Sequence, residues 1–146
     1  MSLKLYLDNC CFNRPFDDQT HIRIRIETEA KLHIQFKIVQ KEFLLAWSYI
    51  LDYENSMNPF IDRQTIIENW KNRSFKQVIE NSTLLNNAKQ IENLGVRAKD
   101  ALHIACAIDA NCDYFITTDD QILKKMNGCK LIKACNPIEI INLTEA

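Results

Sequence analysis

The chain has 146 residues, of which 47% are hydrophobic and 25% charged, and its formal net charge is −1. This balance is typical of a globular protein, and it excludes a disordered or collagen-like chain. The near-neutral charge also excludes attraction of nucleic acid by the whole surface, although a local basic patch or a metal ion would still bind phosphate.

Length and apolar runs predict one domain over residues 1–146, since the chain shows neither a linker nor an internal repeat. The longest apolar runs, such as residues 43–47, are too short to span a membrane. The first residues lack the basic and then apolar pattern of a signal peptide. We therefore expect a cytoplasmic protein without a membrane partner, in which the six cysteines are reduced thiols.

Apolar periodicity and capping residues predict strands that alternate with helices. The first half is predicted to contain a strand at 3–7, a loop at 9–18, a helix to about 39, a strand at 43–48 and a short helix. Two helices follow at 61–70 and 82–94. The last part is predicted to contain a helix from about 100, a strand before 119, a helix at 121–126, a strand at 130–135 and a helix at 138–143. Isoleucines in the first long helix alternate with arginines as in a strand, but charges of alternating sign four residues apart favour a helix. The order predicts an α/β fold, with a mainly parallel central sheet between two layers of helices.

Four acidic residues share one topological property. Asp8, Glu54, Asp100 and Asp119 each lie just beyond a predicted strand or near the start of a helix. In an open α/β sheet these positions meet at one edge, where ligands bind. Crowded carboxylates are costly unless a divalent ion such as Mg²⁺ or Mn²⁺ neutralises them, so the pattern predicts a metal site.

Each acid except Asp8 also has a structural interpretation. Asp100 and Asp119 could cap the helices that they open, and Glu54 could be a solvated helix residue. Asp8 directly follows an apolar strand and has no obvious capping task. His103 lies between two apolar residues, which favours a packed, hydrogen-bonded histidine over a general base or metal ligand.

Cationic side chains near these acids are candidate phosphate contacts. They are Arg14 and Lys99, with Lys124 as a further candidate. Cations that flank helices are usually only solvated, and this remains the alternative for each of them.

Four segments together resemble the PIN-domain family of metal-dependent nucleases. They are LYLDNCCFNRPF, WSYILDYE, KDALHIACA and DYFITTDDQILKK, and they span nearly the whole chain. The family's acids occur in the same order: an Asp at a strand end, a Glu in a helix, an Asp at a helix start and an Asp after a Thr-Thr-like strand end. The resemblance implies that Asp8, Glu54, Asp100 and Asp119 are the catalytic residues and bind Mg²⁺ or Mn²⁺.

The resemblance also implies supporting residues and a reaction. Asn9, Ser48 and Thr118 look like groups that support the acids. PIN domains commonly carry a small hydroxyl or amide residue two positions after the first acid, whereas this chain has Cys10, which hydrogen-bonds poorly. The implied reaction is hydrolysis of RNA phosphodiester bonds, which needs neither a catalytic histidine nor a nucleophilic cysteine when a metal ion is bound.

Within the family, the chain is similar to the toxin ribonucleases of prokaryotic toxin–antitoxin pairs. That similarity implies an RNA substrate, an antitoxin protein as partner and a homodimer. One alternative is a PIN module that has lost catalysis and only binds nucleic acid or a partner protein, which the presence of all four acids disfavours. Another is a phosphoacceptor signalling domain, whose acid pair and strand-end lysine are not evident in this sequence.

Overall fold

The computed structural model of the protein describes residues 2–145, so the predicted domain ends Met1 and Ala146 lie outside the described residues. Within this range the strands are β1 (Leu3–Leu7), β2 (Phe43–Ser48), β3 (Lys76–Val78), β4 (Tyr114–Ile116) and β5 (Lys133–Cys135). The helices are α1 (Asn9–Asn13), α2 (Ile22–Val39), α3 (Tyr49–Ser56), α4 (Ile61–Asn69), α5 (Ser82–Glu92), α6 (Ala98–Asp109), α7 (Asp120–Lys125) and α8 (Pro137–Thr144).

The five strands form one sheet in the order β3-β2-β1-β4-β5, and every pairing is parallel. At the centre, Leu5 of β1 lies opposite Leu45 of β2 and Tyr114 of β4. The chain moves outward from β1 to β3 and then returns to β4 on the other side of β1. Because parallel crossovers are right-handed, this reversal puts the connecting helices on opposite faces and opens a crevice beyond the ends of β1 and β4.

Successive side chains of a strand point to opposite faces of the sheet, and helices bury both of these faces. On one face, Tyr6 of β1 stacks on Phe115 of β4 with ring centroids 5.6 Å apart. On the other face, Phe12 of α1 meets Trp47 of β2 edge-on at 5.5 Å. All four of these side chains are at most 1% exposed. The central strands are therefore held between two layers of helices, as the sequence predicts.

The structure differs from the predicted elements in three places. β3 was not predicted because it has only three residues, two of them exposed, and is defined mainly by its pairing with β2. The predicted loop at residues 9–18 contains α1 and a 3₁₀ turn, Arg14–Phe16. The cap of α5 is Asn81 rather than Ser82, since the Asn81 side chain accepts the backbone N–H of Leu84 at 2.9 Å.

The longest helix, α2, has 18 residues and carries charged side chains along its length. Within residues 2–145, every helix is too short or too polar to cross a membrane.

Candidate active site

All four predicted acids line one pocket at the carboxyl ends of β1 and β4. This pocket has a volume of about 330 Å³, and we call it the acidic pocket. Its lining residues are Asp8, Asn9, Cys10, Asn13, Asp17, Glu54, Asp100 and Asp119. Five of them are acids and none is a cation. The fold thus brings together acids from the two halves of the chain.

Asp8 and Asp119 are placed by the two neighbouring strands that they follow. The backbone N–H of Asp8 donates to the carbonyl of Ile116 at 2.9 Å, which extends the pairing of β1 with β4. Asp8 caps α1 by accepting the N–H of Asn9 at 2.8 Å. Asp119 caps α7 by accepting the N–H of Gln121 at 2.9 Å. Both acids therefore act as helix caps, as was considered for Asp119 but not expected for Asp8, and both also line the acidic pocket.

Asp100 lies in the first turn of α6 and is half-buried. It is not the cap of that helix, because Arg97 occupies the cap position. Burial and the negative charges of Asp8, Asp119 and Glu54 raise the pKa of Asp100. Asp8, Asp119 and Glu54 are thus close enough to disfavour the ionised form of Asp100, which a bound cation would reverse.

Glu54 is held in place by His103. Nε2 of His103 hydrogen-bonds to Oε1 of Glu54, and Nδ2 of Asn9 donates to Oε2 at 3.4 Å. Burial opposes ionisation of Glu54, but the hydrogen bond and attraction of His103, with the charge of Lys99, outweigh it and lower the pKa of Glu54. Glu54 is therefore an oriented carboxylate of the pocket and not a freely solvated side chain.

On the side of the ring away from Glu54, His103 is held by a buried chain of hydrogen bonds. Nδ1 of His103 lies 2.6 Å from the hydroxyl of Tyr6, which lies 2.6 Å from the hydroxyl of Ser48. Nε2 of His103 donates to the carboxylate of Glu54, and the Tyr6 hydroxyl links Nδ1 of His103 to the hydroxyl of Ser48. The predicted supporting residue Ser48 thus acts on Glu54 only through Tyr6 and His103.

Asp8 is supported by the residue next to the predicted one. Oγ1 of Thr117 donates to Oδ2 of Asp8 at 2.8 Å and accepts the N–H of Asp119 at 3.1 Å. Within residues 2–145, the Thr118 hydroxyl makes no hydrogen bond to any of the four acids, and its backbone N–H donates to Sγ of Cys10 at 3.4 Å. The hydroxyl that orients Asp8 therefore belongs to Thr117 and not to the predicted Thr118.

Cys10 does contact Asp8, but weakly. Its thiol lies 3.5 Å from Oδ2 of Asp8 and 3.4 Å from Oγ1 of Thr117. The backbone of Asn9 and the hydroxyl of Thr117 supply the two shorter hydrogen bonds to Asp8. Asn9 and Thr117 thus compensate for the poor hydrogen bonding of a thiol at this position.

The predicted phosphate contacts differ in placement. Nε and Nη2 of Arg14 donate to Glu27 at 3.0 and 2.7 Å, and Nη1 donates to Asp17 at 3.0 Å. Glu27 is fully buried, so Arg14 neutralises a charge of the core and does not line the acidic pocket. Lys99 is exposed, lies 5.8 Å from the centre of the Tyr53 ring and helps to lower the pKa of Glu54.

Three supporting residues were not assigned to the site from the sequence: Tyr6, Thr117 and His103. For His103 a signal existed, because it follows Asp100 by three residues and lies on the same face of α6. Tyr6 and Thr117 lack such a signal. Their roles depend on partners 97 and 109 residues away.

The donor chemistry of the acidic pocket fits a hard divalent cation. Its acids offer only carboxylate oxygens, which Mg²⁺ and Mn²⁺ prefer, and the neighbouring negative charges, together with burial, raise the pKa of Asp100. In the described part of the chain, however, no three His, Cys, Asp or Glu side chains stand close enough to hold one ion together. The carboxylates line one pocket without forming a closed cage.

No protein-family model and no curated protein matches the chain. Several solved structures do resemble it, and two of them illustrate the likeness. The first is the crystal structure of DNA-bound VapBC from Salmonella typhimurium, with 15% identity over 92% of this chain and 98% of that chain, and a TM-score of 0.54. The second is VapBC2 from Rickettsia felis bound to a DNA fragment from their promoter, with 12% identity, the same coverage and a TM-score of 0.56.

At these identities the likeness shows the fold. It extends over almost the whole length of both chains in each comparison. The predicted PIN-like fold, with a parallel central sheet flanked by helices, is confirmed.

Proposed function

We propose that the protein is a Mg²⁺- or Mn²⁺-dependent ribonuclease that hydrolyses RNA phosphodiester bonds. The observation that carries this proposal is the meeting of Asp8, Glu54, Asp100 and Asp119 in one pocket that no cationic side chain lines. Since carboxylates in such surroundings bind hard cations, the pocket suits a metal ion and, through it, a phosphate group.

The proposal extends to a biological role. The PIN-like fold is shared with VapBC structures, which are complexes bound to DNA. Together with the sequence resemblance to toxin ribonucleases, this likeness supports a cytoplasmic toxin whose partner is an antitoxin protein. RNA is the proposed substrate and a homodimer the proposed assembly.

The four acids would hold the metal ion, which when bound would activate the attacking water and offset negative charge on the phosphate. The chain's own residues set the geometry. Thr117 holds one oxygen of Asp8, and His103 holds one oxygen of Glu54. Within residues 2–145, the other oxygen of each carboxylate accepts a hydrogen bond from Asn9 alone, so part of each carboxylate can serve as a ligand. Such outer hydrogen bonds fix the orientation of metal ligands.

The test is to incubate the purified protein with single-stranded and structured RNA, with and without Mg²⁺ or Mn²⁺. We expect cleavage that requires the metal and is lost in Asp8→Asn and Asp100→Asn. Asp62→Asn is the matched control, since Asp62 is an exposed acid of α4 outside the acidic pocket. RNA binding without divalent ions or cleavage would instead identify a catalytically silent module.

A further inference from the structure

A second hollow adjoins the acidic pocket. It has a volume of about 180 Å³ and shares two walls with that pocket, Asp100 and Asp119. The other polar residues that line it are Arg97, Gln121 and Lys125. We call it the basic hollow. On the same measure a single water needs only about 10–15 Å³, so the hollow has room for a group of several heavy atoms.

The two cavities differ in charge. Five acids and no cation line the acidic pocket, whereas two acids and two cations line the basic hollow. The cations are Arg97 and Lys125. A metal ion suits the first cavity, and an anion beside that ion suits the second, because Arg and Lys are the side chains that bind phosphate.

Both cations are available to a ligand. Neither Arg97 nor Lys125 forms an ion pair with any acid in residues 2–145, although Asp100 and Asp119 line the same hollow. Some other surface cations are paired, as Arg23 is with Asp120 at 2.6 Å. An anion entering the hollow therefore does not have to break an existing ion pair.

The fold also holds the two cations at the hollow. Arg97 is the cap residue of α6 and makes no capping hydrogen bond through its side chain. The stem of Lys125 passes over Gly95, since a Cβ placed on that glycine would lie 3.7 Å from Cδ and Cε of Lys125. The last turn of α7 and the start of α6 thus carry their cations to the same place.

We propose that the basic hollow binds the RNA backbone phosphate next to the one that is cleaved. This inference rests on the proposed ribonuclease function. Asp100 and Asp119 line both cavities, so the hollow lies directly beside the proposed cleavage site, and the next phosphate of a single RNA strand follows directly along the backbone. Arg97 and Lys125 would bind this phosphate, and the Gln121 amide would donate a hydrogen bond.

Binding is measured first, in an Asp8→Asn background that does not cleave, with a short single-stranded oligoribonucleotide over a range of salt concentrations. The slope of log K against log salt reports the number of phosphate contacts, about 0.7 for each contact to a single strand. We expect Arg97→Gln and Lys125→Gln each to reduce the slope by about 0.7. Lys124, the third cation that the sequence offered as a phosphate contact, lines neither the hollow nor the acidic pocket. Lys124→Gln removes the same charge from the same turn of α7, and its slope should not change.

Cleavage is measured second, with a dinucleotide that has one phosphodiester and with a longer oligoribonucleotide. Loss of a charged hydrogen bond predicts a KM for the longer substrate about tenfold higher in Arg97→Gln and Lys125→Gln. The dinucleotide has no second phosphate, so its kcat/KM should stay near that of the unsubstituted protein.

The outcomes separate the two proposals. If metal-dependent cleavage occurs but Arg97→Gln and Lys125→Gln behave like Lys124→Gln in both measurements, the basic hollow is not a phosphate site. If no cleavage occurs but the salt slopes fall as expected, the hollow binds phosphate and the ribonuclease proposal fails. Urea unfolding of each variant shows that the exposed substitutions leave the fold intact.

Discussion

The Tyr6 hydroxyl lies 2.6 Å from Nδ1 of His103, and this contact joins the centre of the sheet to the acidic pocket. Both side chains are fully buried, so each must find its hydrogen-bond partner inside the protein. Burial raises the pKa of Tyr6 well above its ordinary value, and the phenol therefore keeps its proton. Tyr6 thus anchors the ring of His103, whose Nε2 hydrogen-bonds to Glu54.

Tyr6→Phe removes the hydroxyl that hydrogen-bonds to His103 but keeps the ring that stacks on Phe115. An unpaired Nδ1 of His103 should cost about 1–3 kcal/mol of stability. We expect a lower urea midpoint with an unchanged slope, and weaker metal-dependent cleavage because Glu54 is less firmly oriented. Tyr114→Phe is the control, since the Tyr114 hydroxyl makes no hydrogen bond to another side chain within residues 2–145. Equal stability of the two variants would contradict the role of Tyr6.

Thr117→Val and Thr118→Val compare neighbouring threonines of similar burial. Only Thr117 donates to Asp8, and loss of such a hydrogen bond to a metal ligand typically costs 10–100-fold in metal affinity or activity, as an order of magnitude. We expect Thr117→Val to raise the Mg²⁺ concentration for half-maximal cleavage about 10–100-fold. A titration of cleavage against Mg²⁺ measures this. A larger effect in Thr118→Val than in Thr117→Val would show that the wrong hydroxyl is assigned.

Arg14→Gln should destabilise the protein without weakening RNA binding. Its guanidinium faces the fully buried Glu27, and breaking a buried ion pair by removing one partner costs about 3–5 kcal/mol. Arg23 and Asn136 also contact Glu27, so we expect about 3 kcal/mol, the lower end of this range. Urea unfolding measures the loss, with the exposed Arg25→Gln as control. If Arg14→Gln left the stability unchanged but reduced the dependence of RNA binding on salt concentration, Arg14 would be a phosphate contact after all.

Lys31→Met should stabilise the protein at neutral pH. Burial lowers the pKa of Lys31 from 10.5 to about 8, and its side chain is only 5% exposed beside the Phe12 ring. Below pH 8 the lysine is charged in both states, so its burial costs the folded state about 3 kcal/mol. Between pH 8 and 10.5 the folded protein loses the proton first and the cost declines.

Urea unfolding of Lys31→Met and the unsubstituted protein at a series of pH values measures this difference. The stabilisation should be largest up to pH 8 and vanish near pH 10.5. A difference in stability that stays constant over that pH range would show that folding does not lower the pKa of Lys31.

Much of the architecture follows from local sequence patterns. The alternation in residues 3–7, the apolar run at 43–48 and the charge spacing of α2 each lie within a short window, and the corresponding elements are observed. The order of the elements then brings strand ends to one edge, which is why four acids far apart in sequence could be predicted to meet. β3 escaped prediction because its three residues form a strand only beside β2.

Only the tertiary structure decided which side chains hydrogen-bond to those acids and orient them. Neither adjacent threonine is distinguished by the sequence, yet only Thr117 is directed at Asp8 by the pairing of β1 with β4. Arg14 carries a charge that would suit phosphate, but the fold places the buried Glu27 beside it. Periodicity and capping depend on neighbours along the chain, whereas a hydrogen bond between distant residues depends on the packing that brings both partners within about 3 Å.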